Sequence, residues 1–294
     1  MPMPSRAIPY SLERFAGRML GVATMHGKEQ VIGPALARVL PITGAAAIPD
    51  VDTDRFGAFS GEVARELDPL EACIAKARHG AEASGMDLVV ASEGSFGPYP
   101  PAPFMPCDEE MLVLYDARDG MVFTHRHVSL ETVFGGEEVR DEAGAMAFAQ
   151  RFRFPQHGLV ARPREHWRPG DPVHKGITDP HRLRALVSTL VEAHGSCWLE
   201  TDMRAMMNPA RMRVIGETAE RFADELSRCC PVCGACWFRI TGTRSGLPCA
   251  LCGWPTESVR SMERGCWACG HVQFEGRPDG RVEEDPQHCA HCNP

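Results

Sequence analysis

Four Cys-x-x-Cys pairs crowd the last 66 residues: Cys230/Cys233, Cys249/Cys252, Cys266/Cys269 and Cys289/Cys292. Ten of the 13 cysteines lie in this stretch. Three pairs are followed by Gly and the fourth by Asn. These residues tolerate the left-handed backbone of a knuckle, where two thiolates turn toward one ion. Fifteen residues separate Cys233 from Cys249 and nineteen separate Cys269 from Cys289, gaps that suit zinc ribbons. The expectation is two structural Zn2+ ions bound in sequential order, at 230/233/249/252 and at 266/269/289/292. The interleaved alternative joins the first pair to the third and the second to the fourth. Cys229, Cys236, His288 and His291 flank the pairs and are alternative ligands. Four thiolates leave no open coordination position, so the metals are read as structural. So short a segment, with few large apolar side chains, needs such staples.

The step in cysteine content divides the chain into residues 1–228 and a double zinc-ribbon region, 229–294. Cysteine richness without an apolar leader segment predicts a reducing, cytoplasmic setting rather than disulfides. No apolar run reaches the roughly 18 residues of a membrane span. The net charge is −8, and the cysteine-rich segment carries six Arg, no Lys and seven acidic residues. No basic stripe offers itself to nucleic acid, so that partner class is not favoured. Of 31 basic residues only Lys28, Lys76 and Lys175 are lysine, which marks them as places where a compact ammonium is wanted.

Residues 1–228 alternate strand and helix signals, which predicts an α/β domain: a mixed, twisted sheet flanked by helices. MLGVAT (19–24) reads as a strand, 28–40 as a helix and AAAIP (45–49) as a strand. Asp68-Pro69 with Glu71 opens a helix that Gly85 ends. DLVVAS (87–92) reads as a buried strand, and 110–116 with 121–128 as a hairpin about Asp119-Gly120. A helix over 141–151 and a strand over 157–163 follow. Asp179-Pro180 and Asn208-Pro209 open two further helices.

Three segments carry the candidate chemistry. Thr24-Met25-His26-Gly27-Lys28 joins a strand to a helix N-terminus, where backbone N–H groups and Lys28 suit a phosphate. Glu62 precedes the helix that bears Lys76 among small residues. Ser92-Glu93-Gly94 ends an apolar strand, a place where ligands of open α/β sheets sit, and a carboxylate there suits Mg2+ beside phosphates. This order resembles the inosine/xanthosine triphosphate pyrophosphatase superfamily, which includes the Maf proteins. His174-Lys175-Gly176 and Thr201-Asp202-Met203-Arg204 are similar to that family's closing region. Met25 and His26 stand where the family has Asn.

The resemblance covers about residues 17–226 and implies an inosine triphosphate pyrophosphatase-like fold. It also implies a Mg2+-dependent hydrolase that releases pyrophosphate from a small phosphorylated ligand. Lys28 and Lys76 would hold phosphates, Glu93 would bind Mg2+, and Glu62 would join it or orient water. Thr24, Lys175, Asp202 and Arg204 would contact the ligand; Asp202 and Arg204 fit equally a buried ion pair. The whole chain also resembles an uncharacterised bacterial family that joins such a domain to a double zinc ribbon. The competing expectation is a non-enzymatic zinc-ribbon adaptor that binds protein or nucleic acid.

Overall fold

The computed structural model describes residues 10–49 and 67–294. Contacts divide the chain into two units, Gly17–Phe222 and Ala223–Pro294, the latter with the described residues through Ala16. The division falls inside the last helix rather than after it at Arg228.

In the first unit, apolar runs and capped helices build one mixed sheet. β1 (Met19–Ala23), α1 (Glu29–Ala37) and β2 (Gly44–Ala47) precede α2 (Pro69–Ser84). β3 (Leu88–Tyr99), β4 (Ala102–Asp116) and β5 (Met121–Ser129) follow. The sheet order is β2-β1-β3-β4-β5, with β1 parallel to β2 and β3 and the last two strands antiparallel. β1 and the start of β3 are buried, as their continuous apolar sequence requires.

The Asp68 carboxylate accepts from the Leu70 and Glu71 N–H groups at 2.9 Å each, with Pro69 in the first turn. The apolar face of α2 (Cys73, Ala77, Ala81) packs on Ala23, Val89, Ala91 and Val113. Its small residues let the helix lie close to the sheet, so Lys76 on the same helix is buried. Asp68→Ala removes this cap, and urea denaturation is expected to show a loss of about 1 kcal/mol.

The rest of the unit forms a separate antiparallel sheet. It comprises β6 (Gly136–Val139), α3 (Glu142–Arg151), β7 (Leu159–Arg162), β8 (His174–Ile177), α4 (Pro180–His194) and β9 (Cys197–Thr201). The strand order is β6-β9-β7-β8. The single sheet expected from the sequence is therefore two. α5 (Pro209–Ser227) follows, with Arg211, Val214, Ile215, Thr218, Ala219 and Phe222 along one buried stripe.

The second unit is a three-stranded antiparallel sheet: β10 (Arg239–Ser245), β11 (Val259–Gly265) and β12 (Val272–Gly276). Tyr10 belongs to it. Its carbonyl accepts from Cys236 N–H at 3.0 Å and its ring meets Trp267 edge-on at 5.9 Å. Among the described residues no helix is long and apolar enough to cross a membrane.

Candidate functional site

β1 ends at Ala23, paired with Ala91 of β3. Beyond that point β3 continues beside β4, and the Thr24–Lys28 loop turns away into α1. Side chains from several elements gather at this strand end. The Lys28 ammonium, 7% exposed, donates to Ser92 Oγ at 2.9 Å. Burial and the Arg211 charge lower it to about 8, and the Lys76 charge acts in the same sense. Lys76 forms an ion pair with Glu93, both buried.

On the neighbouring strand, Glu110 lies opposite Gly94 and accepts from Arg211 Nε at 2.7 Å. Arg211 also donates to the Met203 carbonyl and lies over the Phe96 ring at 5.3 Å. A Cβ at position 94 would run into the Arg211 guanidinium and come within 2.5 Å of Glu110 Oε1, so this close approach requires glycine. Two residues along β4, Asp108 is fully buried, and neither of its oxygens has a hydrogen-bond partner. Burial, and next the Glu110 charge, raise Asp108 to about 8. His26 is held down at about 3 by burial and by the Lys28, Arg211 and Arg204 charges, so its ring is neutral at pH 7.

Asp202 and Arg204 form an ion pair, with Arg204 Nη2 to Asp202 Oδ2 at 2.6 Å. Asp202 also accepts the Gly176 N–H at 3.0 Å, beside Lys175 on β8. Of the two readings offered by the sequence, the ion pair is the arrangement present. Both groups lie within the electrostatic reach of His26.

The structure thus gathers Lys28, Lys76 and Glu93, with Thr24 in the adjoining loop. It sets Asp202 and Arg204 near His26. Glu62 lies outside the described residues. Sequence reasoning missed Asp108, Glu110 and Arg211. Arg211 was detectable as the charged residue on the apolar stripe of α5. Asp108 and Glu110 alternate inward on a strand that becomes apolar at Met111.

The second unit holds two four-cysteine clusters: Cys230, Cys233, Cys266 and Cys269, and Cys249, Cys252, Cys289 and Cys292. This corrects the sequential pairing: the first pair joins the third and the second joins the fourth. The reason is strand length. β10 carries the chain about 20 Å from the first knuckle, at roughly 3.3 Å per residue, so the second knuckle lies at the far end of the sheet. β11 returns to the first end and β12 leaves it again. Odd knuckles share one end and even knuckles the other.

Within each cluster the Sγ atoms lie within 4.8 Å of one another. Close pairs are Cys230–Cys269 at 3.7 Å, Cys233–Cys266 at 3.6 Å, Cys249–Cys292 at 3.9 Å and Cys252–Cys289 at 3.7 Å. A Zn–S bond of 2.3 Å gives a tetrahedral edge of about 3.8 Å, so both clusters fit structural zinc. The four knuckles share one turn: the N–H of Gly234, Gly253, Gly270 and Asn293 bonds the carbonyl of Cys230, Cys249, Cys266 and Cys289 respectively. The three glycines adopt φ of 71–76°, as the sequence reading required. Cys236 and Cys229 lie outside both clusters. Cys236 is buried, which pushes its thiol up to about 12. His291 stacks on Trp254 at 5.4 Å instead of joining a cluster.

A family described as Domain of unknown function (DUF6671) matches residues 76–294, well over half of the chain. The chain belongs to the DUF6671 family. The DUF6671 match includes Lys76, Glu93, Asp108, Glu110, Arg211 and all eight clustered cysteines, while Thr24, His26 and Lys28 precede it. No curated protein matches the chain.

Proposed function

We propose that the Gly17–Phe222 unit of this DUF6671 protein binds a phosphorylated nucleotide and hydrolyses it with Mg2+, releasing pyrophosphate. The cysteine-rich unit serves as a zinc-stapled module. One observation carries this reading: the Lys28 ammonium is buried in the field of two further buried cations, Lys76 and Arg211, each from a different helix. Crowding like charges out of water costs stability, and an anion arriving from solution offsets that cost. Lys28 is the best placed to receive it, because its bond is to a neutral hydroxyl, Ser92, rather than to a carboxylate.

The resemblance to inosine/xanthosine triphosphate pyrophosphatases supplies the nucleotide and the reaction. In that reading Lys28 and Lys76 hold phosphate oxygens, and Thr24, Lys175, Asp202 and Arg204 border the ligand. Glu93 binds the cation in that reading. A bound Mg2+ neutralises phosphate charge and lowers the pKa of attacking water. Since Glu93 holds Lys76 in the structure, engagement exchanges partners: Lys76 moves to phosphate and frees the Glu93 carboxylate. The His26 backbone N–H donates to Thr24 Oγ1 at 3.1 Å, and its neutral ring adds no charge to the loop.

The test is a nucleoside triphosphate screen with Mg2+, comparing the wild type with Lys28→Ala and Glu93→Gln. The wild type should release pyrophosphate, and each variant should be slower by roughly 100-fold. If no nucleotide is bound and none yields pyrophosphate or phosphate, the reading fails.

A further inference from the structure

We infer that Asp108 and Glu110 form a divalent-cation site of their own, distinct from Glu93. Buried carboxylate oxygens normally have donors. Here three do not: both oxygens of Asp108 and Oε2 of Glu110. The two residues are two apart on β4, so they share a face of the sheet. Each is fully buried. A proton shared between Asp108 and Glu110 would satisfy two of these oxygens; a cation satisfies all three.

The neighbouring cations bond elsewhere. The charged groups facing Asp108 are Glu110, Arg211 and Lys28. Arg211 is engaged with the other oxygen of Glu110, and Lys28 donates to Ser92. The pair of carboxylates thus retains three buried oxygens without a donor. The donors are all carboxylate oxygens, which suits Mg2+ or Mn2+, ions that take one or two carboxylates and keep waters or phosphates in the remaining positions. Glu93 lies on the opposite face of β3, since it alternates with Gly94, the partner of Glu110. Its carboxylate is taken by Lys76. The site therefore does not depend on the nucleotide reading, though a cation there would lie beside the same cationic cluster.

The probe is Mn2+ alone, titrated into the full-length zinc-loaded protein and followed by electron paramagnetic resonance. Wild type should bind one Mn2+. Asp108→Asn is the informative variant, because it keeps shape and removes a buried charge, and it should weaken binding by roughly tenfold or more. Circular dichroism and zinc content of the variant should match wild type, which separates lost ligation from lost folding. Glu109→Gln, between the two on the other face of β4, should keep Mn2+ affinity. Three results overturn the site: no Mn2+ bound by wild type, equal binding by Asp108→Asn, or loss of binding in Glu109→Gln but not in Asp108→Asn. Mn2+ binding through Asp108 without turnover of any nucleotide would sink the hydrolase reading and leave the site standing.

Discussion

Stripping zinc with a strong chelator unfolds the Ala223–Pro294 unit. The small core there is built from Cys230, Ala235, Phe238 and Cys266 with Cys233 alongside, so most of its members are themselves ligands or neighbours of ligands. Structural zinc contributes on the order of 10–16 kcal/mol in small metal-dependent domains, far above what this core supplies. Loss of near-ultraviolet circular dichroism on chelation, with recovery on adding Zn2+, is the measurement. The cluster assignment has a sharper consequence in metal stoichiometry. Replacing Cys230 and Cys266 together by serine damages one cluster, so one of two zinc ions is lost. Replacing Cys230 and Cys249 damages both, and both are lost. Sequential pairing predicts the reverse for each double variant, so elemental analysis of the two purified proteins decides between the schemes.

Arg211→Met is the second large effect. Arg211 and Glu110 are 1% and 0% exposed in their side chains and joined at 2.7 Å. Removing the guanidinium strands the Glu110 carboxylate in the interior and leaves the Met203 carbonyl without that donor. Breaking one partner of such a pair costs about 3–5 kcal/mol, read as a lower urea midpoint at unchanged slope. Adding Glu110→Leu removes the stranded charge, so the double variant should recover most of that loss. If the single and double variants unfold at the same midpoint, the pair is not the source of the effect.

Parts of this architecture were legible from local chemistry. Asp68-Pro69 and Asp179-Pro180 announce helix starts because a short acidic side chain and a proline have few better uses there, and both carboxylates do accept backbone N–H groups. Lys28 was legible because it opens the helix just past β1, Glu93 because it follows the apolar start of β3, although that strand continues to Tyr99, and Lys76 because it stands amid small residues. Elements with weak local signals escaped. β6, β8 and β9 are four, four and five residues long. Sequences such as GEEV and HKGI acquire strand geometry from partners rather than from alternation. β4 begins eight residues before the strand expected over 110–116, through Pro103 and Pro106, because β3 pairs with it there.

Asp108, Glu110 and Arg211 escaped for a different reason. Charged residues are seldom fully buried, and their meeting joins β4 to α5 across a hundred residues. The cysteine pairing escaped because both gaps accommodate either scheme. Only the strands between the knuckles decide which ends coincide.

That interleaving also bears on how the polypeptide matures during synthesis. The first tetrahedron cannot close until Cys269 has left the ribosome, and the second waits for Cys292. A nascent chain halted before Cys266 exposes four of the eight ligand thiols yet owns no complete metal site, and is open to oxidation or to capture of the wrong ion. Metal loading thereby waits on synthesis of all four knuckles, and quality control of the newborn protein can be read from its zinc content.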